Sequence, residues 1–150
     1  MTTASRLEQL AGQCEAASGA DRDLDALIAC AIGDLSKHPK WVQRWQGALT
    51  PYPGKPGYVA HVSGVWWSSA KVTASLDAAM SLVPEPDDDP GEKFRLEAYN
   101  DPGVLPEHVR ASAWVPGAPR VYAATPALAL TAASLRSRAS LLRTQGESNG

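Results

Sequence analysis

The chain has 150 residues, of which 44% are hydrophobic and 20% are charged, and its formal net charge is −2. These values are typical of one globular domain with its own core, and the negative total argues against a nucleic-acid-binding protein. No run approaches the roughly 18 apolar residues of a membrane span, and the N-terminal MTTASRLEQL lacks the apolar core of a signal peptide, so we expect a cytoplasmic protein.

Charges of opposite sign are separated along the chain. Residues 1–34 carry six acids against two arginines, and residues 85–92 carry five acids and no base. Residues 35–76 and 120–143 contain lysines or arginines and no acid. Two interpretations remain open: the acidic and basic segments face each other or are solvated, or a cationic surface binds an anionic ligand.

The N-terminal third has the pattern of a helical pair. Ser5 and Glu8 have the spacing of a capping box, and apolar residues follow at helical intervals. Asp21 or Asp23 can begin a second helix that Gly33 ends, and the helix dipole accounts for its acidic first turn. The cysteines at positions 14 and 30 lie within these two patterns, so we expect reduced, buried thiols rather than a disulfide or a ligand pair.

Proline and glycine interrupt residues 35–57, which predicts a loop with at most one helical turn. Trp41 and Trp45 are four residues apart and would share a face of such a turn. They either pack on the core or form, with Arg44, an exposed partner surface.

Residues 58–67, YVAHVSGVWW, are rich in β-branched and aromatic side chains and predict one strand, with Gly64 at a bulge. Trp66 and Trp67 must point to opposite sides of a strand, so one belongs to the core and the other to the core or to a contact surface. A second short strand is predicted at residues 71–74.

A short middle helix is predicted after Ser75, which can cap it, and it ends before Pro84. Leu76, Ala79, Met80 and Val83 are expected to form its apolar face. The aspartates of residues 85–92 lack the alternating spacing of a calcium-binding loop, so we expect no metal site there.

Residues 94–99 and 109–115 both alternate between apolar and polar side chains and predict half-buried strands. A polar sheet face would then carry Arg95, Glu97, Tyr99, Arg110, Ser112 and Trp114. If a helix covers this face, its charges form cross-strand pairs; if it is open, its arginines and aromatics suit a nucleotide-like anion. We expect the covered arrangement.

The C-terminal helix has the strongest local signals. A strand at residues 120–123 leads into residues 124–143, where Thr125 can cap the helix and Pro126 suits its first position. The predicted buried stripe consists of Leu128, Ala132, Leu135, Ala139 and Leu142. Residues 144–150 are expected to form a disordered tail.

Three blocks together resemble the phage ABA sandwich family of small phage and prophage proteins. They are DRDLDALIACAIG at residues 21–33, VTASLDAAMSLVPE at residues 72–85 and ATPALALTAASLRSRA at residues 124–139. The resemblance implies a sheet between helices and a phage or prophage origin. It implies no enzymatic activity and supplies no catalytic residues.

The expected fold is therefore α+β: a single α-β-α sandwich domain over residues 1–143, whose mainly antiparallel sheet of four to five strands is flanked by helices. The chain lacks the nucleophile-elbow, phosphate-loop, dinucleotide-binding, HExxH and CxxC motifs, and its three histidines are dispersed. We expect no catalytic residues, no metal and no cofactor.

The favoured hypothesis is a non-enzymatic phage or prophage accessory protein that binds a host protein or a nucleotide-like small molecule. An anti-defence role, such as anti-CRISPR activity or sequestering of a nucleotide signal, fits this class. The alternative is a structural or assembly protein that acts as a homo-dimer or higher oligomer. Nucleic-acid binding is disfavoured, because the last helix lacks a dense lysine cluster. The candidate contact residues are Trp66, Trp67, Arg95, Tyr99, Arg110 and Trp114, with Trp41, Arg44 and Trp45 as a second surface.

Overall fold

The computed structural model describes residues 3–32, 49–61, 64–84, 94–98 and 110–144. Within these residues the protein is α+β, with four helices and two three-stranded antiparallel sheets. The predicted class and the antiparallel pairing are confirmed. The α-β-α sandwich around one sheet of four to five strands and the single domain over residues 1–143 stay predictions, and residues 145–150 of the expected tail lie outside the described part.

The elements follow in the order α1 (Thr3–Ala16), α2 (Arg22–Ile32), β1 (Leu49–Pro51), β2 (Tyr58–His61), β3 (Trp66–Ser68), α3 (Leu76–Met80), β4 (Arg95–Ala98), β5 (Ala111–Trp114), β6 (Val121–Ala123) and α4 (Pro126–Thr144). Strands β1, β2 and β3 form the first sheet in that order, and β4, β5 and β6 form the second.

The first sheet corrects the sequence analysis in three places. Strand β1 lies in the predicted loop. The predicted strand at residues 58–67 is a hairpin, because Gly64 adopts a φ of 94° and its N–H donates to the carbonyl of His61. The strand predicted at residues 71–74 is wrong: the amides of Ala74 and Ser75 both donate to the carbonyl of Lys71, which makes a turn.

The second sheet forms where the alternating patterns predict it. Its register places Leu96 opposite Ala113, and Ala113 opposite Val121. Ala111, Ala113 and Val121 are buried in a core cluster that they share with α1 and α4. The small side chains let α4 lie close to the sheet.

Helix α4 lies at the centre of the core. The Leu128 amide donates to Oγ1 of Thr125 at 3.2 Å, so the predicted cap and start are confirmed. The predicted stripe is too narrow, because every residue of 127–135 is buried. Helix α1, helix α3 and the second sheet all contact α4, which leaves this half of the helix no solvent face. Thr131 meets its hydrogen-bonding need by donating to the Val72 carbonyl at 2.9 Å.

The caps of the other helices follow the sequence signals only in part. Asp21 caps α2 by accepting from the Leu24 amide at 3.2 Å, and Ser75 caps α3 by accepting from the Ala78 amide at 3.3 Å. The capping box at Ser5 and Glu8 is wrong, because α1 begins earlier, at Thr3. The predicted apolar face of α3 is confirmed at Ala79 and Val83, which are buried in the core, but Leu76 and Met80 are exposed. Leu82, just after the helix, also contacts the core.

Ion pairs join the acidic N-terminal helix to the basic C-terminal one. Arg136 binds Glu15, and Arg143 binds Glu8. The hydrogen bond from Arg143 lowers the pKa of the Glu8 carboxyl. Part of the charge separation along the chain is therefore internal pairing, as the first interpretation holds.

Candidate binding surfaces

A group of aromatic side chains, of which Trp66 is exposed and the tyrosines are half-buried, lies on the outer face of the first sheet, the face away from α2. We define the aromatic cluster as Tyr52, Lys55, Tyr58 and Trp66. The ring centroid of Trp66 lies 5.0 Å from that of Tyr52 and 5.6 Å from that of Tyr58. The Lys55 ammonium lies 4.4 Å from the centroid of Trp66. The cluster is thus three packed rings with one cation over them.

Strand alternation explains why Trp66 is exposed beside a buried neighbour. Val59 is opposite Trp67, and Ala60 is opposite Trp66. Val59 and Trp67 pack inward in a small cluster with residues of α2, so Trp66 must point outward. Trp67 is 7% exposed and Trp66 is 44% exposed. Of the two tryptophans, one is therefore in the core and the other on the surface.

A tight turn between β1 and β2 assembles the rest of the cluster. The Tyr52 amide donates to the Tyr58 carbonyl at 2.8 Å, and the Tyr58 amide donates to the Lys55 carbonyl at 3.2 Å. These bonds close the turn and hold Lys55 over the neighbouring rings. Sequence analysis missed Tyr52, Lys55 and Tyr58, although the segment YPGKPGY has a signal: proline and glycine between two tyrosines favour a turn that brings them together.

A buried polar network fastens this turn to α2. Arg22 donates to the Gly57 carbonyl at 3.1 Å, to Oγ of Ser68 at 2.8 Å and to the Ser69 carbonyl at 3.1 Å. It also pairs with Asp25 at 2.6 Å. Most of the guanidinium is thus engaged by protein acceptors, so we assign Arg22 a structural role.

Asp25 is the residue that sequence analysis explained incompletely. The helix dipole accounts for an acid in the first turn, but Asp25 is 1% exposed and also accepts from the Thr73 amide at 2.8 Å. The side chain thereby ties α2 to the turn before α3. No local pattern indicates this contact, because its partner lies 48 residues further along the chain.

The second sheet has a polar face on which Ser112 is buried, Trp114 and Arg120 are half-buried, and Arg95, Glu97 and Tyr122 are exposed. Arg95 is opposite Trp114, and Ser112 lies between Glu97 and Tyr122. Arg95 and Glu97 are exposed, and Tyr122 is 44% exposed. The helix cover that the sequence analysis expects does not lie over these three residues. Helices α1 and α4 share their core cluster with the opposite face.

A cross-strand ion pair lies in the middle of this polar face. Arg120 lies 3.2 Å from the Glu97 carboxylate and donates to Oγ of Ser112 at 3.3 Å. Sequence analysis placed Glu97 and Ser112 on this face but did not include Arg120 or Tyr122, since it treated the third strand only as an entry to α4. The pair gives the face both signs of charge.

The remaining predicted contact residues are less informative. Arg110 is exposed, and its amide donates to the Ala123 carbonyl at 3.0 Å, which continues the pairing of β5 with β6. Tyr99, Trp41, Arg44 and Trp45 lie outside the described residues. Their role as contact residues stays a prediction.

In the described part of the chain, no group of three histidine, cysteine, aspartate or glutamate side chains is placed to hold a metal ion. Neither cysteine is part of a disulfide, but Cys30 is only partly buried. Burial raises the pKa of Cys14 to about 12, so this thiol stays protonated at neutral pH. None of the described helices combines the length and apolar character that crossing a membrane requires.

No protein-family model, curated protein or solved structure matches the chain. Each of the two sheets has an exposed aromatic side chain on its outer face, Trp66 on the first and Tyr122 on the second.

Proposed function

We propose that this protein is a non-enzymatic phage or prophage accessory protein that binds an acidic surface of a host protein through its aromatic cluster. The observation that carries the proposal is the exposure of Trp66, which remains 44% accessible although it is packed on two tyrosines and a lysine.

The aromatic cluster has the composition of an interface centre. Tryptophan and tyrosine contribute most to binding energy at protein interfaces, because they bury a large area with few rotatable bonds. Here the rings are held by one another and by the hydrogen-bonded turn, so little side-chain entropy remains to be lost when a partner covers them.

Charge favours an acidic partner. Lys55 belongs to the cluster, and residues 49–76 contain Lys55 and Lys71 but no acid. An acidic partner would meet no repulsive carboxylate from this segment, and complementary charge speeds encounter.

The polar face of the second sheet is the weaker candidate. A nucleotide-like anion bound there would meet the Glu97 carboxylate, which Arg120 already partly neutralises. Binding would have to break this pair or tolerate the repulsion. We therefore place the partner on the first sheet.

The biological setting in this proposal comes from the resemblance of residues 21–33, 72–85 and 124–139 to the phage ABA sandwich family. By this resemblance, the protein would be one α-β-α sandwich domain in the bacterial cytoplasm. Its partner would belong to a host defence system such as CRISPR. The support is the resemblance, the small size and the lack of catalytic motifs.

Two single substitutions test the surface, and they are matched in exposure. Trp66→Ser removes the centre of the aromatic cluster, and Tyr122→Ser removes an aromatic side chain of the same 44% exposure from the second sheet. Tagged wild type and both variants are used to capture proteins from bacterial lysate, and any captured protein is identified, purified and titrated by calorimetry.

We expect Trp66→Ser to weaken the affinity for the purified partner at least about tenfold, while Tyr122→Ser leaves it within about threefold. Equal affinity of wild type and Trp66→Ser would contradict the proposal, as would a partner with a basic contact surface. Light scattering covers the alternative: a wild-type dimer that Trp66→Ser converts to a monomer would assign this face to a second copy and favour the assembly role.

A further inference from the structure

A cleft of about 310 Å³ opens on the side of the molecule where the ends of all four helices meet. Thr3 begins α1, Ala31 and Ile32 end α2, and Pro84 follows α3. The last turns of α4 complete the lining with Arg138, Leu141 and Leu142. Apart from Thr3 and Arg138, the described lining is apolar.

Arg138 differs from the other two arginines of α4. Arg136 and Arg143 each bind a carboxylate of α1. Arg138 is half-buried, and its Nε donates to the Leu82 carbonyl at 2.7 Å. In the part of the chain that the structure describes, no acidic side chain pairs with it. The remaining guanidinium donors are thus available at the cleft.

A half-buried cation without a counter-ion is costly, because burial removes solvent that stabilised the charge. Burial also lowers the pKa of Arg138, although a guanidinium stays protonated in proteins. An anion in the cleft would restore the lost stabilisation, and a carboxylate matches the planar guanidinium through two parallel hydrogen bonds.

The apolar lining defines the rest of the ligand. Ile32, Leu141 and Leu142 offer side chains to a hydrocarbon group, and a volume of about 310 Å³ lies near the lower limit of small-molecule sites. We propose that this cleft binds a small carboxylate with a medium-length apolar chain, whose head group Arg138 holds. This site is separate from the aromatic cluster and independent of the proposed host partner.

The test titrates the full-length protein at neutral pH and low salt with three probes. Octanoate has both the head group and the chain, octylamine has a chain of the same length with the opposite charge, and acetate has the head group alone. We expect octanoate to bind at least about tenfold more tightly than either of the others, by calorimetry or by NMR shifts of cleft residues.

Variants locate the site. Arg138→Met should weaken octanoate binding at least about tenfold, whereas Arg136→Met removes the same charge outside the cleft and should leave binding unchanged. Ala31→Phe should abolish binding by filling the cleft while Arg138 stays in place, so the test holds even where Arg138→Met folds poorly.

No octanoate binding, octylamine binding as tight as octanoate binding, or undiminished binding by Ala31→Phe would each overturn the proposal. Trp66→Ser should bind octanoate like the wild type, which keeps this outcome distinct from that of the host-partner experiment.

Discussion

The two sheets are supported in different ways. The second sheet rests on the large core cluster, together with α1 and the central helix α4. The first sheet rests on α2 through a small cluster in which Leu49, Val59 and Trp67 meet Ala26 and Ala29. Because this cluster is the smaller of the two among the described residues, we expect the first sheet to depend more on each of its contacts.

Side-chain hydrogen bonds also fasten the first sheet to α2. The side chain of Arg22 reaches three acceptors around its end, and Asp25 binds both Arg22 and the Thr73 amide. Among the described residues, the inner face of the first sheet packs on α2 and is fastened by this polar network, whereas its outer face carries the aromatic cluster.

The largest effect should come from Trp67. Trp67→Ala removes the largest side chain of the small cluster and should lower the free energy of unfolding by about 3–5 kcal/mol. The adjacent change Trp66→Ala deletes the same atoms from the surface and should cost only about 1–2 kcal/mol. Urea denaturation of both variants measures the difference. Equal losses would contradict the division of the sheet into an inner and an outer face.

The second largest effect on the free energy of unfolding should come from Asp25. Asp25→Ala leaves the Arg22 guanidinium and the Thr73 amide without their carboxylate and should cost about 3 kcal/mol. Asp23→Ala, an exposed acid of the same helical turn, should cost less than about 1 kcal/mol. If thermal or urea unfolding showed similar values for the two, the polar network would have no special part in holding the first sheet.

A smaller effect is expected at the turn. Gly57 has a φ of 83°, and a Cβ there would lie 2.3 Å from Nε of Arg22. Gly54 has a φ of 79° with no heavy atom within 4 Å of its added Cβ. Both alanine variants strain the backbone, but only Gly57→Ala also displaces Arg22. Gly57→Ala should therefore lower the free energy of unfolding by about 1–3 kcal/mol more than Gly54→Ala does, as urea denaturation would measure. Equal costs would show that Arg22 moves aside freely.

The reactivity of the two cysteines measures how accessible each core cluster is, and it needs no substitution that lowers stability. Cys30 is partly exposed beside the small cluster, whereas Cys14 is buried in the large one. In mildly alkaline solution iodoacetamide should modify Cys30 well before Cys14, as peptide mass spectrometry of the native protein would show. Faster labelling of Cys14 would mean that the large core opens first.

The buried thiol of Cys14 should also make the fold less stable at alkaline pH. The pKa of Cys14 is about 12 in the folded protein against an ordinary value of 9.0, so the unfolded chain releases this proton first. Rising pH between these values therefore favours unfolding. The fall in the free energy of unfolding should be smaller in Cys14→Ala, and an equal fall in both proteins over this range would contradict the burial of Cys14.

The parts that sequence predicts are those with local causes. Thr125 and Ser75 cap their helices by accepting hydrogen bonds from amides only three residues away. The alternation within β4 and β5 likewise depends only on neighbouring residues. Longer-range contacts decide the rest. Arg22 and Asp25 form hydrogen bonds with segments distant in the sequence. The first half of α4 is buried on all sides because α1, α3 and the second sheet surround it.

The aromatic cluster also combines features that follow from the local sequence with features that depend on long-range contacts. That Trp66 and Trp67 point to opposite sides follows from strand geometry alone, but which one is buried depends on where α2 packs. Tyr52 and Tyr58 come together because strand pairing closes the turn between them, and β1 carries no strong strand signal in its sequence Leu-Thr-Pro. Lys55 joins the cluster only once that turn has formed.

Amide hydrogen exchange of the protein with and without its captured partner tests most directly whether the outer face of the first sheet is the contact surface. We predict slower exchange in peptides that cover residues 52–66 and little change at residues 95–98 and 111–123. Protection confined to the second sheet, with none at residues 52–66, would contradict the assignment of the aromatic cluster as the binding surface.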